Sequence, residues 1–347
     1  MERIKVSVDE LMIVLNMVVG DNFTINAPLY RSDLLRIGFG KLIIIDYYIE
    51  DVLASLHSMV ETYHVMFKPE EVPSRSSIRD SLMISGSLTY PNMDEVISKI
   101  EELGAETSLE KPSMSFLAID TNVLYNRFLS NIESRLRRMP PILVSKCVVS
   151  EISDTMQKRL RQCELSLLRK LFNYYGTEGL SYQVYNTNTP SLVARRAFSA
   201  LRELERIKNK YRVVNTGMEY CKGDRSIVED YAKFASQGSN VVFLTFDSMS
   251  RAYSYSYNLE SIFVETPAYS RPKIEFYNLC EVIYQLLQVF MILKISSGIK
   301  SVQLYNMWSG KRIDDWVEGM VMLETSDKEV LKEIITYRKV RDCLSIN

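Results

Sequence analysis

The stretch that most constrains this chain is a short apolar run at residues 116–124, which read FLAIDTNVL. Four apolar residues come first, and Asp120, Thr121 and Asn122 follow before a second apolar run begins. A short apolar run bounded by polar residues indicates a strand buried in a parallel sheet. Asp120 is then expected at the carboxyl end of that strand, where open α/β sheets bind their ligands. Thr121 or Asn122 is predicted to cap the helix that follows.

A second apolar run has the same form. Residues 240–244 read NVVFL, and Thr245 and Asp247 follow them. This run predicts another buried strand that also ends near an acid. Asp247 therefore lies just past a predicted strand end, as Asp120 does.

Two further acids lie where helices are predicted to begin. Glu151 follows the mostly apolar residues 142–149, and Asp224 opens the segment GDRSIVEDYA. Asp230 lies six positions after Asp224, nearly two helical turns along, and is an additional candidate for the same site. Taken singly, acids at strand ends and helix starts are common caps. The ordered set is therefore more informative than any one of its members.

This ordered set resembles the PIN-domain nuclease family, from about residue 113 to about residue 265. The motifs that carry the resemblance are Asp120 in IDTN, Glu151 in VVSEI, Asp224 in GDRSI and Asp247 in LTFD. The resemblance implies that these four acids converge at the carboxyl ends of a central parallel sheet and bind a divalent metal. It also implies that Asn122 and Thr245 line the site and hold the acids or the attacking water.

The implied activity is that of a metal-dependent endonuclease. Clustered carboxylates repel one another unless they are protonated or bind metal, and oxygen ligands of this kind suit Mg²⁺ or Mn²⁺. Such a metal helps to activate water and stabilises the leaving oxygen of a phosphodiester. RNA is favoured as substrate over single-stranded or structured DNA. The alternatives are a non-catalytic PIN-fold scaffold that binds nucleic acid or protein, and an unrelated doubly wound binding protein. Glycine-rich nucleotide-binding motifs are absent from the sequence.

The net charge of -1 conceals an uneven distribution. Residues 1–120 carry a net charge of -9, whereas residues 121–222 carry +10. A basic surface beside an acidic site is the charge layout that a phosphate-backbone binder needs. The residues predicted to bind nucleic acid are Arg135, Arg137, Arg138, Lys158, Arg159, Arg161, Arg195 and Arg196. The tyrosines at 174, 175, 182 and 185 are candidates for base stacking, although packing roles are favoured for them.

Three segments are predicted. Residues 1–111 form an acidic, mixed α/β domain of unknown role. A regulatory domain, a dimerisation domain and a winged helix are all possible interpretations of it. The net negative charge of this segment argues against DNA binding by it. Residues 112–268 form the PIN-like domain, a central parallel sheet flanked by helices with a basic helical insertion. Residues 269–347 form a mainly helical domain. We expect nucleic acid as partner, allow for a homodimer, and consider the acidic N-terminal segment a candidate site for a protein partner.

Five dispersed cysteines and only two histidines make a structural zinc site unexpected. Free thiols in a reducing, cytoplasmic compartment are the expectation. His57 and His64 share one face of a helix predicted within residues 42–67, where surface or packing roles are favoured over a ligand pair. Residues 279–295 are the most apolar stretch, but their interspersed polar residues favour a half-buried helix, so no membrane partner is expected.

Overall fold

The structure is a computed structural model that describes residues 2–18, 22–30, 32–39, 43–47, 71–106, 114–174, 189–217, 220–267, 273–274, 276–298, 300–306 and 314–344. The chain divides into two compact units. The parallel unit comprises Leu88–Lys158 and Arg196–Tyr269. The antiparallel unit comprises Met1–Ser87, Arg159–Arg195 and Ser270–Asn347.

The strands are β1 (Glu2–Val6), β2 (Asn22–Ala27), β3 (Ser32–Phe39), β4 (Ile43–Tyr47), β5 (Ser115–Ile119), β6 (Ile142–Ser145), β7 (Val213–Thr216), β8 (Asn240–Thr245), β9 (Glu260–Phe263), β10 (Lys273–Ile274), β11 (Ile292–Ser297), β12 (Lys300–Asn306) and β13 (Val321–Thr325). The α-helices are α1 (Val8–Val18), α2 (Arg75–Ile84), α3 (Met93–Glu106), α4 (Thr121–Tyr125), α5 (Phe128–Ile132), α6 (Lys146–Met156), α7 (Gln162–Tyr174), α8 (Leu192–Lys210), α9 (Gly223–Ala235), α10 (Ser248–Ser256), α11 (Phe276–Phe290), α12 (Asp314–Val317) and α13 (Lys328–Leu344).

The parallel unit contains a five-stranded sheet in the order β7-β6-β5-β8-β9, and all of its paired strands are parallel. The central strand β5 is buried along its whole length, as expected for a strand covered by helices on both faces. Helix α3 packs on β5, and α9 and α10 pack on β8. The predicted α/β class, with a central parallel sheet flanked by helices, is confirmed.

The strand order fixes where a ligand site is expected. The chain passes from β5 outward through β6 to β7, and then returns to the other side of β5 with β8 and β9. The order therefore reverses between β5 and β8, and ligands of open α/β sheets bind in the crevice at the carboxyl ends of such strands. Ala118 of β5 pairs with Phe243 of β8, so the residues that follow the two strands emerge side by side.

The antiparallel unit contains an eight-stranded sheet in the order β1-β13-β12-β11-β2-β3-β4-β10. Its strands pair antiparallel, and Val6 of β1 faces Val321 of β13. Segments from both ends of the chain therefore form one sheet. This result corrects the predicted division into separate domains at residues 1–111 and 269–347, because backbone pairing between distant segments leaves no local pattern in the sequence.

The prediction that residues 269–347 are mainly helical is incomplete for the residues that the structure describes there, which form four strands as well as three helices. The apolar stretch at residues 279–295, expected to be a half-buried helix, is helical only as far as Phe290, and β11 begins at Ile292. Met291 between them adopts a left-handed conformation with φ 66°, which stops the helix. The error has a physical origin, since buried helix and buried strand are both continuously apolar and periodicity does not separate them.

Two basic stretches of the chain are helical only in part. After α4 the backbone turns at Arg127, where φ is 48°, and continues as α5 and a 3₁₀ turn, Glu133–Arg135. In the predicted basic helical insertion, α7 begins at Gln162. His57, His64, the tyrosines at 175, 182 and 185, and most of the helix predicted within 42–67 lie outside the described residues. Within the described part of the chain, no helix is both long enough and apolar enough to cross a membrane.

Candidate active site

Asp120 lies at the reversal point of the parallel sheet. It follows β5 directly and is only 2% exposed. The hydroxyl of Thr245, the last residue of β8, donates to Asp120 Oδ2 at 2.6 Å. Burial raises the pKa of Asp120 to about 6, and the charges of Asp224 and Glu151 push it in the same direction. Hydrogen bonds from Thr245 and from the backbone of Thr121 only partly oppose these effects.

Glu151 reaches the same region from α6. The residue as a whole is exposed, but its carboxylate accepts a hydrogen bond of 2.7 Å from the hydroxyl of Thr121, the first residue of α4. Partial desolvation of this carboxylate raises its pKa, and the charge of Asp224 adds to the shift. Lys158 opposes it. Thr121 therefore holds an acid instead of capping the helix, whose N-cap is Asp120.

Asp224 and Asp247 complete the set of four acids. Asp224 lies in the first turn of α9, where desolvation and the charge of Asp247 raise its pKa. Asp247 is the N-cap of α10, and its side chain accepts from the Met249 amide at 2.7 Å. The Asp247 amide in turn donates to Thr245 Oγ1 at 2.9 Å, so Thr245 contacts both Asp120 and Asp247.

The four carboxylates, referred to below as the acid cluster (Asp120, Glu151, Asp224 and Asp247), are linked by mutual repulsion. Asp224 raises the pKa of both Asp120 and Glu151, and Asp247 raises the pKa of Asp224. Across the described ranges, however, no three His, Cys, Asp or Glu side chains are gathered closely enough to hold a metal ion. The cluster is thus a loose set of oxygen donors whose negative charge is compensated only in part, by Lys158 beside Glu151. Donors of that chemistry fit Mg²⁺ or Mn²⁺.

Asp230 has a different role from the acid cluster. It is 4% exposed and accepts hydrogen bonds from Ser145 Oγ, at 2.6 Å, and from Thr216 Oγ1. These hydroxyls end β6 and β7. Asp230 therefore fastens α9 to two strand ends, and both of these bonds fall on Oδ2. These bonds give Asp230 a structural role, and its predicted participation in the acid site stays a prediction.

Tyr231 fastens the same helix to a third strand. Its hydroxyl accepts from the Ser145 amide at 2.9 Å and donates to the Ile119 carbonyl at 2.7 Å. The middle of α9 is consequently fixed to the ends of β5, β6 and β7. Asn122, by contrast, is exposed on α4, and its neighbour Thr121 makes the bond to an acid that was expected of Asn122.

The predicted nucleic-acid-binding residues are distributed over both units. Arg135 pairs with Asp94, and the Arg137 amide donates to Glu101 at 2.8 Å. Together with Arg138 they precede the amino end of β6, whereas the acids lie at the carboxyl ends of the strands. These three arginines therefore do not flank the acid cluster.

The predicted role of Arg195 in binding nucleic acid is wrong. Arg195 is 2% exposed, and its guanidinium donates to the carbonyls of Gln288, at 2.6 Å, and Pro190, at 2.9 Å. It is a packing residue and is closed to nucleic acid. Arg161 pairs with Glu164 at 2.8 Å. Arg159, Arg161 and Arg195 all belong to the antiparallel unit.

Lys158 acts on the acid cluster, and Arg196 acts on a tyrosine that Glu151 also affects. Lys158 lowers the pKa of Glu151. Burial raises the pKa of Tyr125 to about 12, and Glu151 and Arg196 act on that tyrosine with opposite sign. Both cations therefore lie within electrostatic reach of the Glu151 side of the cluster.

Exposed aromatic rings lie shortly before Asp224 in the chain and at the far end of the helix that Asp247 caps. Tyr220, four residues before Asp224, is 71% exposed, and Lys222 Nζ lies 5.3 Å from its ring centroid. Tyr255 on α10 is 61% exposed, and Arg251 lies 5.7 Å from its ring centroid. An aromatic face paired with a cation is the combination on which unpaired bases stack. These rings were absent from the sequence prediction, which considered only tyrosines of the basic insertion.

The cysteines differ from the predicted free thiols. Cys147 and Cys221 form a disulfide across 74 positions of sequence, with their Cα atoms 5.2 Å apart. Cys163, Cys280 and Cys343 are free. The pairing had no local signal, since neither cysteine lies in a paired motif. Helix α6 and the chain before α9 had to be placed before the two sulfurs could be seen to meet.

No protein-family model matches the chain, and no curated protein matches it. Its likeness to PIN-domain nucleases therefore rests on the ordered acids and on the compatible parallel sheet.

Proposed function

We propose that this chain is a metal-dependent endonuclease with a PIN-like parallel unit, and that it hydrolyses phosphodiester bonds. One observation carries the proposal. Four acids that are dispersed in the sequence come to the carboxyl ends of one parallel sheet, at its reversal point, where each is electrostatically linked to at least one other. Carboxylates held together without compensating charge form a site that favours a divalent cation.

In this proposal Asp120, Glu151, Asp224 and Asp247 hold Mg²⁺ or Mn²⁺. When bound, the metal supplies Lewis-acid chemistry for phosphodiester hydrolysis. The chain's own contribution is positioning. Thr245 orients Asp120, and Thr121 orients Glu151, each through one hydroxyl hydrogen bond. Ligands oriented by such outer hydrogen bonds keep their geometry when the metal exchanges.

RNA is the favoured substrate, with single-stranded or structured DNA as the second choice. The exposed rings of Tyr220 and Tyr255, each accompanied by a cation, suit unpaired bases. Lys158 and Arg196 would compensate phosphate charge on the Glu151 side. A homodimer, a protein partner on the acidic N-terminal segment and a cytoplasmic location stay predictions.

The alternative is a non-catalytic scaffold of the same fold that binds nucleic acid or protein. One observation favours it: the acids, as described, are not gathered closely enough to enclose a metal. The two proposals differ in what a divalent cation does. An enzyme needs the cation for cleavage, whereas a scaffold binds its partner without it.

Cleavage of end-labelled single-stranded RNA and DNA, with Mn²⁺ or Mg²⁺ against EDTA, tests the proposal. We expect metal-dependent cutting that falls at least about 100-fold in Asp120→Asn and in Glu151→Gln. Asp154→Asn is the matched control, since Asp154 is an exposed acid on the same helix as Glu151. Binding without cutting, unchanged by EDTA, would support the scaffold. Equal cutting by Asp120→Asn and the parent protein would refute the site.

A further inference from the structure

The disulfide lies between two members of the acid cluster. Cys147 is in the first turn of α6, and Glu151 is four residues farther along the same helix. Cys221 precedes α9 by two residues, and Asp224 follows three residues after it. Cys147 and Glu151 therefore lie about one helical turn apart on the same side of α6. Cys221 lies in the non-helical chain before α9, three residues ahead of Asp224. The S–S bond therefore joins the two acid-bearing segments a few residues before each acid.

The middle of α9 and the chain just before it are held in place by different contacts. The middle of α9 is fastened to three strand ends through Asp230 and Tyr231. The chain just before α9 is exposed from Tyr220 to Gly223. Lys222 as N-cap makes no side-chain capping bond, and its backbone amide donates to Ser226 Oγ of α9 at 2.8 Å. Gly223 has φ +64°, and an added Cβ there would meet nothing within 4 Å. Toward α6, the covalent bond at Cys221 is thus the firm attachment of this segment.

We propose that the Cys147–Cys221 disulfide is a redox-controlled lock that positions Asp224 against Glu151. The inference rests on the proposed metal-dependent function. In the oxidised protein the lock holds the first turn of α9 beside α6, and the two carboxylates act on one cation. In the reduced protein the exposed segment before α9 is released, Asp224 gains freedom, and the affinity of the cluster for a divalent cation falls.

The chemistry of opening follows from the exposure of the two sulfurs. Cys221 is exposed, whereas Cys147 is 3% exposed. A thiolate of an external dithiol therefore attacks Sγ of Cys221 and expels the sulfur of Cys147. The second thiol of the reductant then displaces Cys221 and closes the reductant's own disulfide. One S–S bond breaks in the protein and one forms in the reductant, while two electrons and two protons pass to the two cysteines.

The test uses the full chain with Cys163→Ser and Cys343→Ser, which removes the two exposed free thiols. Thiol counting after denaturation should give one thiol in the oxidised protein, from Cys280, and three after treatment with dithiothreitol. Mn²⁺ binding is then measured by calorimetry on both forms. We expect the reduced form to bind Mn²⁺ about tenfold more weakly, the low end of what losing a supporting contact around a metal ligand costs. Equal or tighter binding after reduction overturns the inference.

A second variant avoids the reductant. Cys221→Ser in the same background changes an exposed residue and leaves the buried Cys147 in place. It should bind Mn²⁺ as weakly as the reduced protein, with its circular dichroism spectrum unchanged. Binding as tight as in the oxidised parent contradicts the lock. In the parent that carries only Cys163→Ser and Cys343→Ser, a count of three thiols after exposure to an oxidant would contradict the lock as well.

The two proposals fail in different ways. If the oxidised protein neither binds Mn²⁺ nor cuts, the proposed function fails and the lock fails with it. If the oxidised protein binds and cuts but is indifferent to reduction, only the lock is refuted.

Discussion

Two buried carboxylates, one in each unit, show how differently the two halves of the molecule handle charge. Asp120 in the parallel unit and Glu10 in the antiparallel unit are both 2% exposed. Burial raises the pKa of Asp120 to about 6. Burial also acts to raise the pKa of Glu10, but the hydrogen bonds from Arg338 and the Ser7 amide and the charges of Arg338 and Arg341 together outweigh it, and the net pKa of Glu10 is lowered. Two equally buried carboxylates therefore have pKa shifts of opposite direction.

The difference lies in the partners. Arg338 donates to both oxygens of Glu10, at 2.8 and 2.7 Å, and the Ser7 amide adds a bond of 3.0 Å. Asp120 receives a neutral hydroxyl instead and faces other acids. A buried charge that serves the fold is paired, because an unpaired one is costly. A buried charge left uncompensated indicates a place where a cation is expected.

The largest expected effect comes from unpairing the structural charge. Arg338→Met leaves Glu10 buried without its bidentate partner and should destabilise the protein by about 3–5 kcal/mol in urea denaturation. Arg341→Met is the matched control, since Arg341 lies 3.7 Å from Glu10 and its side chain is 54% exposed. Its effect should stay below about 1 kcal/mol. Equal effects of the two substitutions would show that Arg338 is not the partner that matters.

At the acid cluster, removal of a charge is expected to increase the stability of the protein instead of lowering it. Asp120→Asn removes a buried, uncompensated charge and should stabilise the metal-free protein at pH 7.5 by up to about 3 kcal/mol, while abolishing cleavage. Glu10→Gln should destabilise it under the same conditions. Urea denaturation in EDTA measures both. Loss of stability in Asp120→Asn would mean that Asp120 is a structural acid like Glu10.

The pH dependence separates the two carboxylates again. The pKa of Asp120 is raised from 3.8 to about 6, so its contribution to stability is present below pH 4 and is lost as the pH rises through 6. The pKa of Glu10 is lowered from 4.5, so its contribution is present above that pH and is lost as the pH falls through the lowered pKa. The stability difference between Asp120→Asn and the parent protein should therefore grow between pH 4 and pH 7.

The sequence predicted the parallel unit better than the antiparallel unit for a physical reason. Strands buried on both faces, such as β5 and β8, are short apolar runs with polar ends, so Asp120 and Asp247 were placed correctly at strand ends. The pairing of β1 with β13 joins residues about 320 positions apart and depends on tertiary contacts alone. The same holds for the burial of Arg195 and for the disulfide, since basic residues and cysteines carry no sequence mark of their partners.

The smallest expected effect concerns the Thr245 hydroxyl, which donates a hydrogen bond to Asp120 and lowers its pKa. Thr245→Val keeps the shape of a fully buried side chain but removes the donor to Asp120 and the acceptor for the Asp247 amide. The lost bonds should cost about 1–2 kcal/mol of stability. Because the Thr245 hydroxyl lowers the pKa of Asp120, its removal should raise that pKa above about 6 and widen the contrast with Glu10. Carboxyl-carbon NMR titration of the metal-free protein measures the shift.

Thr121→Val is the control for this titration, since the Thr121 hydroxyl donates to Glu151 and not to Asp120. An Asp120 pKa that moves more in Thr121→Val than in Thr245→Val would show that the uncompensated charge is shared across the cluster rather than centred on Asp120.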